Sequence, residues 1–233
     1  MLNCKDVVVN FGGVRGLDGV SLAFERGISG LVGPNGAGKT TMLNVLSGFV
    51  SPSSGRVDFD GIDLLSLNPA GRARWGLRRT FQQEQSVDSL TVWENLLVAA
   101  ENLGSRPADA RQIADLVGLT ELDRPVPLLS MLERRLLELG RTIMGRPRIL
   151  FLDEPVAGLP EAESLLFAPL IEGICEEFSL TVVLVDHDMD FVTRTCSNIA
   201  VLDFGRLIAY GDCVSVLSDP AVKAAYLGVS NES

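Results

Sequence analysis

Gly33-Pro34-Asn35-Gly36-Ala37-Gly38-Lys39-Thr40, followed by Thr41, is the stretch on which the reading of this chain turns. It fits the pattern G-x-x-x-x-G-K-[ST], and its surroundings suit that pattern: an apolar strand-like run at 28–32 before it, and an unbroken helical run at 39–46 after it, ended near Gly48. Glycines let such a loop fold tightly, so that backbone N–H groups point inward. The helix N-terminus adds a dipole favourable to anions. Lys39 supplies a positive charge for phosphate, and the Thr40 hydroxyl is a ligand for Mg²⁺. An ordinary glycine-rich turn is the plainer alternative; the flanking strand and helix speak against it.

More than a hundred residues later the run Ile149-Leu150-Phe151-Leu152 reads as a buried parallel strand, with Asp153 and Glu154 emerging at its carboxyl end. Ligands of open α/β sheets sit at that end. Asp153 suits Mg²⁺, directly or through water, and Glu154 suits a general base that polarises an attacking water. Alone this is a weak pattern; it gains weight from the phosphate loop upstream. His187, the single histidine, follows the apolar run 182–185 in Asp186-His187-Asp188. A lone histidine reads first as a structural residue, but a place at a strand's carboxyl end puts it where phosphate chemistry happens.

Outward from these motifs, strands are predicted at 6–10, 20–24 and 28–32, a hairpin within 51–61, and an irregular polar stretch at 78–89. Helical periodicity covers 91–102, 108–117 and 130–144, a block without a convincing strand. Strands return at 149–153, 181–186, 199–203 and 207–210, with helices at 161–178 and 189–195. The pattern is an α/β core interrupted by a helical insertion.

Composition narrows the possibilities. The 233 residues suffice for one large domain, and 46% hydrophobic residues can fill its core. No apolar run reaches the roughly 18 to 20 residues of a membrane span. Nothing at the start resembles a secretory signal, so the chain is expected in the cytoplasm. A net charge of −10 argues against a nucleic-acid partner. Arg72, Arg74, Arg78 and Arg79 form one basic cluster, and Arg134, Arg135 and Arg141 another; both read as solvated helix faces. Cys4, Cys175, Cys196 and Cys213 lack the spacing of a zinc site and read as reduced core thiols.

Together the motifs resemble the nucleotide-binding subunits of ABC transporters, over nearly the whole chain. Within that family the ATPases of branched-chain (hydrophobic) amino-acid importers look most similar: Gly33 to Thr41, Arg79-Thr80-Phe81-Gln82, Thr91-Val92-Trp93-Glu94-Asn95-Leu96, Asp186-His187-Asp188-Met189-Asp190 and Ala224-Ala225-Tyr226-Leu227-Gly228 carry the likeness. The resemblance implies one ABC ATPase domain: a P-loop NTPase (RecA-like) α/β core with an N-terminal antiparallel β-subdomain over residues 1–82 and 148–233, and an inserted helical subdomain over 83–147. It implies ATP and Mg²⁺ as cofactors, with residues 33–41 and Asp153 binding nucleotide. Phe11 matches the aromatic position that stacks on adenine, although a core phenylalanine is an equal competitor. Gln82 matches the glutamine that senses Mg²⁺ and the γ-phosphate and links to the membrane subunit; with Thr40 and Asp153 it completes the implied metal set. His187 matches the switch histidine, and Glu154 the catalytic base. Implied partners are transmembrane permease subunits, a second ABC ATPase subunit (a different chain, with a homodimer as the alternative) and, indirectly, a solute-binding protein. The implied location is peripheral, on the cytoplasmic face of the inner membrane.

Two departures from the family pattern stand out. Where it has Leu-Ser-Gly-Gly-Gln, this chain has Leu129-Ser130-Met131-Leu132-Glu133; where an aspartate usually follows Gly-Leu, Gly158-Leu159 is followed by Pro160. Ser130 and Glu133 keep capping-box spacing, so a helix is expected there. Leu132 is expected to crowd a phosphate, and Glu133 to repel it. In the family each ATP lies between two subunits, and these are the elements a chain lends to its partner's site. The pattern points to an asymmetric pair. The alternatives are a non-catalytic nucleotide-binding subunit, which the signature favours but Glu154 and His187 oppose, and a soluble ABC protein of DNA repair or translation, which usually carries two cassettes or long inserts.

Overall fold

The computed structural model describes residues 1–81 and 85–228. The chain opens on β1 (Leu2–Phe11), β2 (Val14–Phe24) and β3 (Gly27–Val32), then α1 (Lys39–Ser47). β4 (Ser54–Phe59), β5 (Ile62–Asp63), α2 (Pro69–Trp75) and β6 (Leu77–Arg79) follow. Three helices come next: α3 (Val92–Asn102), α4 (Pro107–Leu116) and α5 (Met131–Ile143). The remainder alternates: β7 (Ile149–Asp153), α6 (Glu161–Phe178), β8 (Thr181–Val185), α7 (Met189–Thr195), β9 (Asn198–Asp203), β10 (Arg206–Asp212), then α8 (Cys213–Ser218) and α9 (Pro220–Gly228).

Two sheets carry these elements. One is antiparallel, in the order β2-β1-β4-β5; the other runs β10-β9-β3-β8-β7-β6. In the second, β3 pairs parallel with β8 and β9, and β7 parallel with β6 and β8, while β10 returns antiparallel along β9. Side chains alternate across a strand, and here both faces are covered. Leu150, Leu152, Val182 and Leu184 pack with Phe167 and Ile171 of α6 and with Leu96 and Leu137 of the helical block. Ile149, Phe151, Val183 and Val185 pack with Met42, Leu43 and Leu46 of α1 and with the antiparallel sheet. Burial on both faces is why these strands read as continuous apolar runs rather than alternating ones. Their parallel pairing brings the carboxyl ends of β3, β7 and β8 to one edge.

The helical insertion starts at a capping box, in which Thr91 accepts from Glu94 N and the Glu94 carboxylate accepts from Thr91 N. Asn95 is fully buried and ties residue 87 to α3: its side chain accepts from Val87 N and donates to the carbonyls of Val87 and Thr91. All four cysteines are buried and free.

Between β5 and α3 the structure departs from the sequence reading. The polar stretch expected at 78–89 begins as a strand, since Leu77, Arg78 and Arg79 pair with Ile149, Leu150 and Phe151. Helix α2, absent from the reading, is capped by Asn68, has Pro69 in its first turn, and exists around a buried arginine. Arg72 is only 3% exposed and donates to the carbonyls of Val45 and Leu46 at 2.5 and 2.7 Å and of Leu67 at 3.0 Å. It therefore reinforces the end of α1, where helical carbonyls run out of intrahelical donors, and adds to the Gly48 N–H that Val45 O already accepts. The solvated-face reading of the arginine clusters is thus wrong for Arg72, for Arg79, and for Arg135, which is half-buried and paired with Glu138. Each finds fixed acceptors that sequence spacing does not reveal.

Candidate active site

The loop between β3 and α1 shapes the site. Gly38, the N-cap of α1, has φ 105°, a left-handed conformation open to glycine, and no side chain caps the helix. Gly33 has φ 145°, and a Cβ there would collide with the Leu202 carbonyl oxygen. The loop is held from outside as well: Gly205 N donates to Ala37 O, and Asp18 N to Gly205 O. The first turn of α1 itself holds no acidic residue, which suits an anion at its amides. Pro34 is half-buried, Asn35, Gly36 and Thr40 are exposed, Ala37 is buried and Thr41 is half-buried. Lys39 Nζ donates to Gly33 O at 2.6 Å and Pro34 O at 2.9 Å. Burial pulls the Lys39 pKa below its ordinary 10.5, against the upward pull of Glu154 and Asp153.

Phe11 closes β1 and is 51% exposed, which removes the core alternative. A Cβ on Gly16 would lie 2.8 Å from its Cε2 and 3.3 Å from Thr41 Cγ2. The bare backbone of Gly16 thus lets the ring lie beside the end of the phosphate loop. The structure brings Phe11, residues 33–41, Asp153, Glu154 and His187 to the same edge; Gln82 lies outside the described residues.

Asp153 ends β7 with its side chain only 3% exposed. Its N–H donates to Thr80 Oγ1 at 2.9 Å, and its Oδ2 accepts from Arg79 Nη2 at 2.8 Å. Glu154 turns the chain at φ 53°, unusual for a residue with a side chain, and its N–H donates to Val185 O at 2.7 Å. Such strain collects where a site needs a side chain aimed outward. Its Oε1 lies 2.9 Å from Nε2 of His187. The two residues come from the ends of adjacent strands, β7 and β8, so the parallel pairing itself creates the contact. Arg79 is the residue that sequence reasoning missed. The available signal was its place in the tetrapeptide that carried the family likeness; its partners Asp153 and Asn44 emerge only from the fold.

The degenerate signature keeps its helix. Ser130 accepts from Glu133 N at 3.2 Å, and Glu133 accepts from Ser130 N at 2.7 Å, the capping box expected from the spacing. Two further expectations change. Leu132 is half-buried against the core, and the bulky exposed side chain is Met131, at 47%. Glu133 is paired with Arg124 at 2.5 Å, which offsets its charge. Met131 rests on the segment after the carboxylates: a Cβ on Gly158 would lie 3.0 Å from its Sδ. Arg135 Nη2 donates to Ala157 O at 3.0 Å, so α5 and that segment are doubly joined.

With this geometry in view, comparison with known proteins is direct. The family model for the ABC transporter matches residues 17–157. The chain belongs to the ABC transporter family. This cassette is 36% identical to the high-affinity branched-chain amino acid transport ATP-binding protein BraF of Pseudomonas aeruginosa, over 98% of each chain. It is 32% identical to the probable branched-chain amino acid transport ATP-binding protein LivG of Methanocaldococcus jannaschii, over 98% of this chain and 97% of that one. The crystal structure of the ADP conformation of an ATP-binding cassette of an ABC transporter aligns at TM-score 0.88 and 30% identity, covering 98% of both chains. The cassette is therefore an ATP-binding and ATP-hydrolysing subunit, of a kind that works with transmembrane permeases. No helix among the described residues is long and apolar enough to cross a membrane.

Proposed function

We propose that this cassette binds ATP with Mg²⁺ between its phosphate loop and the carboxyl ends of β7 and β8, and that its hydrolysis powers uptake of branched-chain amino acids or related apolar solutes. The observation that carries the site is convergence: the uncapped start of α1 with Lys39, the buried carboxylate of Asp153, and the Glu154–His187 contact all lie at one sheet edge. The solute class rests on the names of relatives such as BraF and LivG.

Phe11 stacks on the base, backbone N–H groups within residues 33–41 and the Lys39 ammonium hold the phosphates, and Thr40 and Asp153 hold Mg²⁺. One hydroxyl and one carboxylate suit an ion that keeps waters and phosphate oxygens in its shell. When bound, Mg²⁺ neutralises charge building up on the phosphate oxygens. Glu154 takes a proton from the attacking water, and His187, in contact with its Oε1, keeps the base aimed. Gln82 senses the ion and γ-phosphate. The helical subdomain, taken as residues 83–147, meets the permease on the cytoplasmic face of the inner membrane, and a solute-binding protein is an indirect partner. The second ATPase subunit is a different chain.

The experiment replaces Glu154 with Gln, which keeps the shape and removes the base. ATP should still bind, while turnover in the assembled transporter should fall by roughly two orders of magnitude or more. Persistent turnover would remove Glu154 from the role.

A further inference from the structure

Arg79 ends the edge strand β6, beside the strand that ends in Asp153. Its side chain is 6% exposed. One guanidinium nitrogen, Nη2, donates to Asp153 Oδ2 at 2.8 Å, and the other, Nη1, to Asn44 Oδ1 at 2.7 Å. Asn44 stands one helical turn beyond Thr40 on α1. The Arg79 Cζ lies 5.3 Å from the centre of the Phe81 ring, which covers it. Next in sequence, Thr80 accepts the Asp153 N–H, so two consecutive residues clamp the backbone and the side chain of one aspartate.

A flat, rigid fork of donors can hold two acceptors at a fixed separation, as a lysine ammonium cannot. The two acceptors here belong to the elements that supply Thr40 and Asp153 to the metal: Asp153 closes β7, and Asn44 sits on the helix that begins with Lys39 and Thr40. Oδ2 of Asp153 is occupied by Arg79, and among the described residues no donor is bonded to Oδ1. We propose that Arg79 is a positioning residue for the metal: it pins Oδ2, leaves Oδ1 for the ion, and locks β7 to α1 so that Asp153 and Thr40 keep their spacing. The proposal rests on the reading of Asp153 and Thr40 as Mg²⁺ ligands. Two effects oppose each other here. A guanidinium repels a dication, but a carboxylate that is not held loses the orientation a ligand needs. Partners that hold metal ligands matter by about ten- to a hundredfold in affinity, so positioning should win.

The test uses the whole chain in a Glu154→Gln background, so that ATP is not consumed, with Mn²⁺ as the probe read by electron paramagnetic resonance. Arg79→Gln should weaken Mn²⁺ binding to the ATP-loaded protein about tenfold. ATP affinity in EDTA should stay unchanged. Arg79→Lys, a cation without the fork, should recover little of the loss. Asn44→Ala removes only the anchor on α1, leaves the ion pair in place, and should weaken Mn²⁺ binding less, in the same direction; it also serves if Arg79→Gln does not fold. Unchanged or tighter Mn²⁺ binding in these variants, or a matching loss of ATP affinity in EDTA, overturns the proposal. Asp153→Asn separates the premise: if it also leaves Mn²⁺ binding intact, the reading of Asp153 as a ligand fails instead.

Discussion

Lys39 Nζ is bonded to two carbonyls of its own loop, Gly33 and Pro34, and a phosphate oxygen accepts from its third N–H or replaces one of them. The exchange is favourable because an ammonium binds an anion more strongly than a neutral carbonyl. Lys39→Ala should cost roughly 1.5 to 3 kcal/mol of ATP binding, about ten- to a hundredfold in affinity. Isothermal titration with ATP and Mg²⁺ reads this, and unchanged affinity would place the phosphates elsewhere. Asp186 offers a second residue-scale test. It is 6% exposed, its Oδ1 accepts from Asp188 N, and its buried Oδ2 has no partner among the described residues. Burial pushes its pKa above the ordinary 3.8. A carboxyl whose folded pKa is raised favours the fold while protonated and weakens it as pH climbs above that ordinary value. Asp186→Asn keeps the Oδ1 acceptor and removes the charge. At pH 7.5 the variant should gain about 1 kcal/mol, or about 2–4 °C in Tm, and near pH 4 the two proteins should differ less. An equal difference at both pH values in paired thermal melts would show that charge is not the cause.

At the scale of elements, the strand–loop–helix around Lys39 and the strands ending in Asp153 and near His187 were legible because local pattern and chemistry agree there. An apolar run, a breaker and a functional residue follow one another directly. What stayed hidden was α2 and β6. Arg72, Arg78 and Arg79 look like solvated charges, and only the fold reveals which of them meet buried acceptors: the carbonyls at the end of α1 for Arg72, and Asp153 with Asn44 for Arg79. The inward turn of Leu132 and the pairing of Glu133 with Arg124 were hidden for the same reason, since each depends on a neighbour distant in sequence or on helix phase. Arg72 gives the prediction for this scale. Arg72→Met keeps the bulk and removes three donated hydrogen bonds, leaving the Val45 and Leu46 carbonyls without that donor. The loss should be about 2–3 kcal/mol, lowering Tm by about 5–10 °C. ATP affinity well below Tm should hold, because the phosphate end of α1 lies at its other terminus. A calorimetric Tm within a degree or two of the parent would mean that water replaces the guanidinium without cost.

At the scale of the molecule, every described element that this chain brings to its own site is in place, whereas the two it lends across a pair are altered together. Met131 stands exposed where the family pattern has glycine, and its sulfur rests against Gly158, two residues before Pro160. The two departures are thus one patch of surface, braced from below by Arg135 on Ala157. A side chain on that patch blocks the close approach of a partner's phosphate, which glycine would allow. In a homodimer both ATP sites would carry this burden. Beside a different cassette with an ordinary signature, only the partner's site would, and this chain's own site would be completed by the partner's glycines. The isolated chain should therefore be a poor ATPase and mostly monomeric with ATP, and the partner cassette with its permease should raise turnover. Replacing Met131 and Leu132 with glycine should tighten ATP-driven self-association about tenfold, equivalent to about 1.4 kcal/mol. Met131→Gly alone should give most of that gain, because Leu132 packs inward and its loss weakens the helical block. Glycine in the first turn costs about 1 kcal/mol of helix stability per site, a loss that the Ser130–Glu133 capping box limits. Sedimentation velocity with ATP in a Glu154→Gln background, which traps closed pairs, reads the outcome. A tight ATP-dependent homodimer of the parent chain that hydrolyses at a normal rate without a partner would end the asymmetric reading.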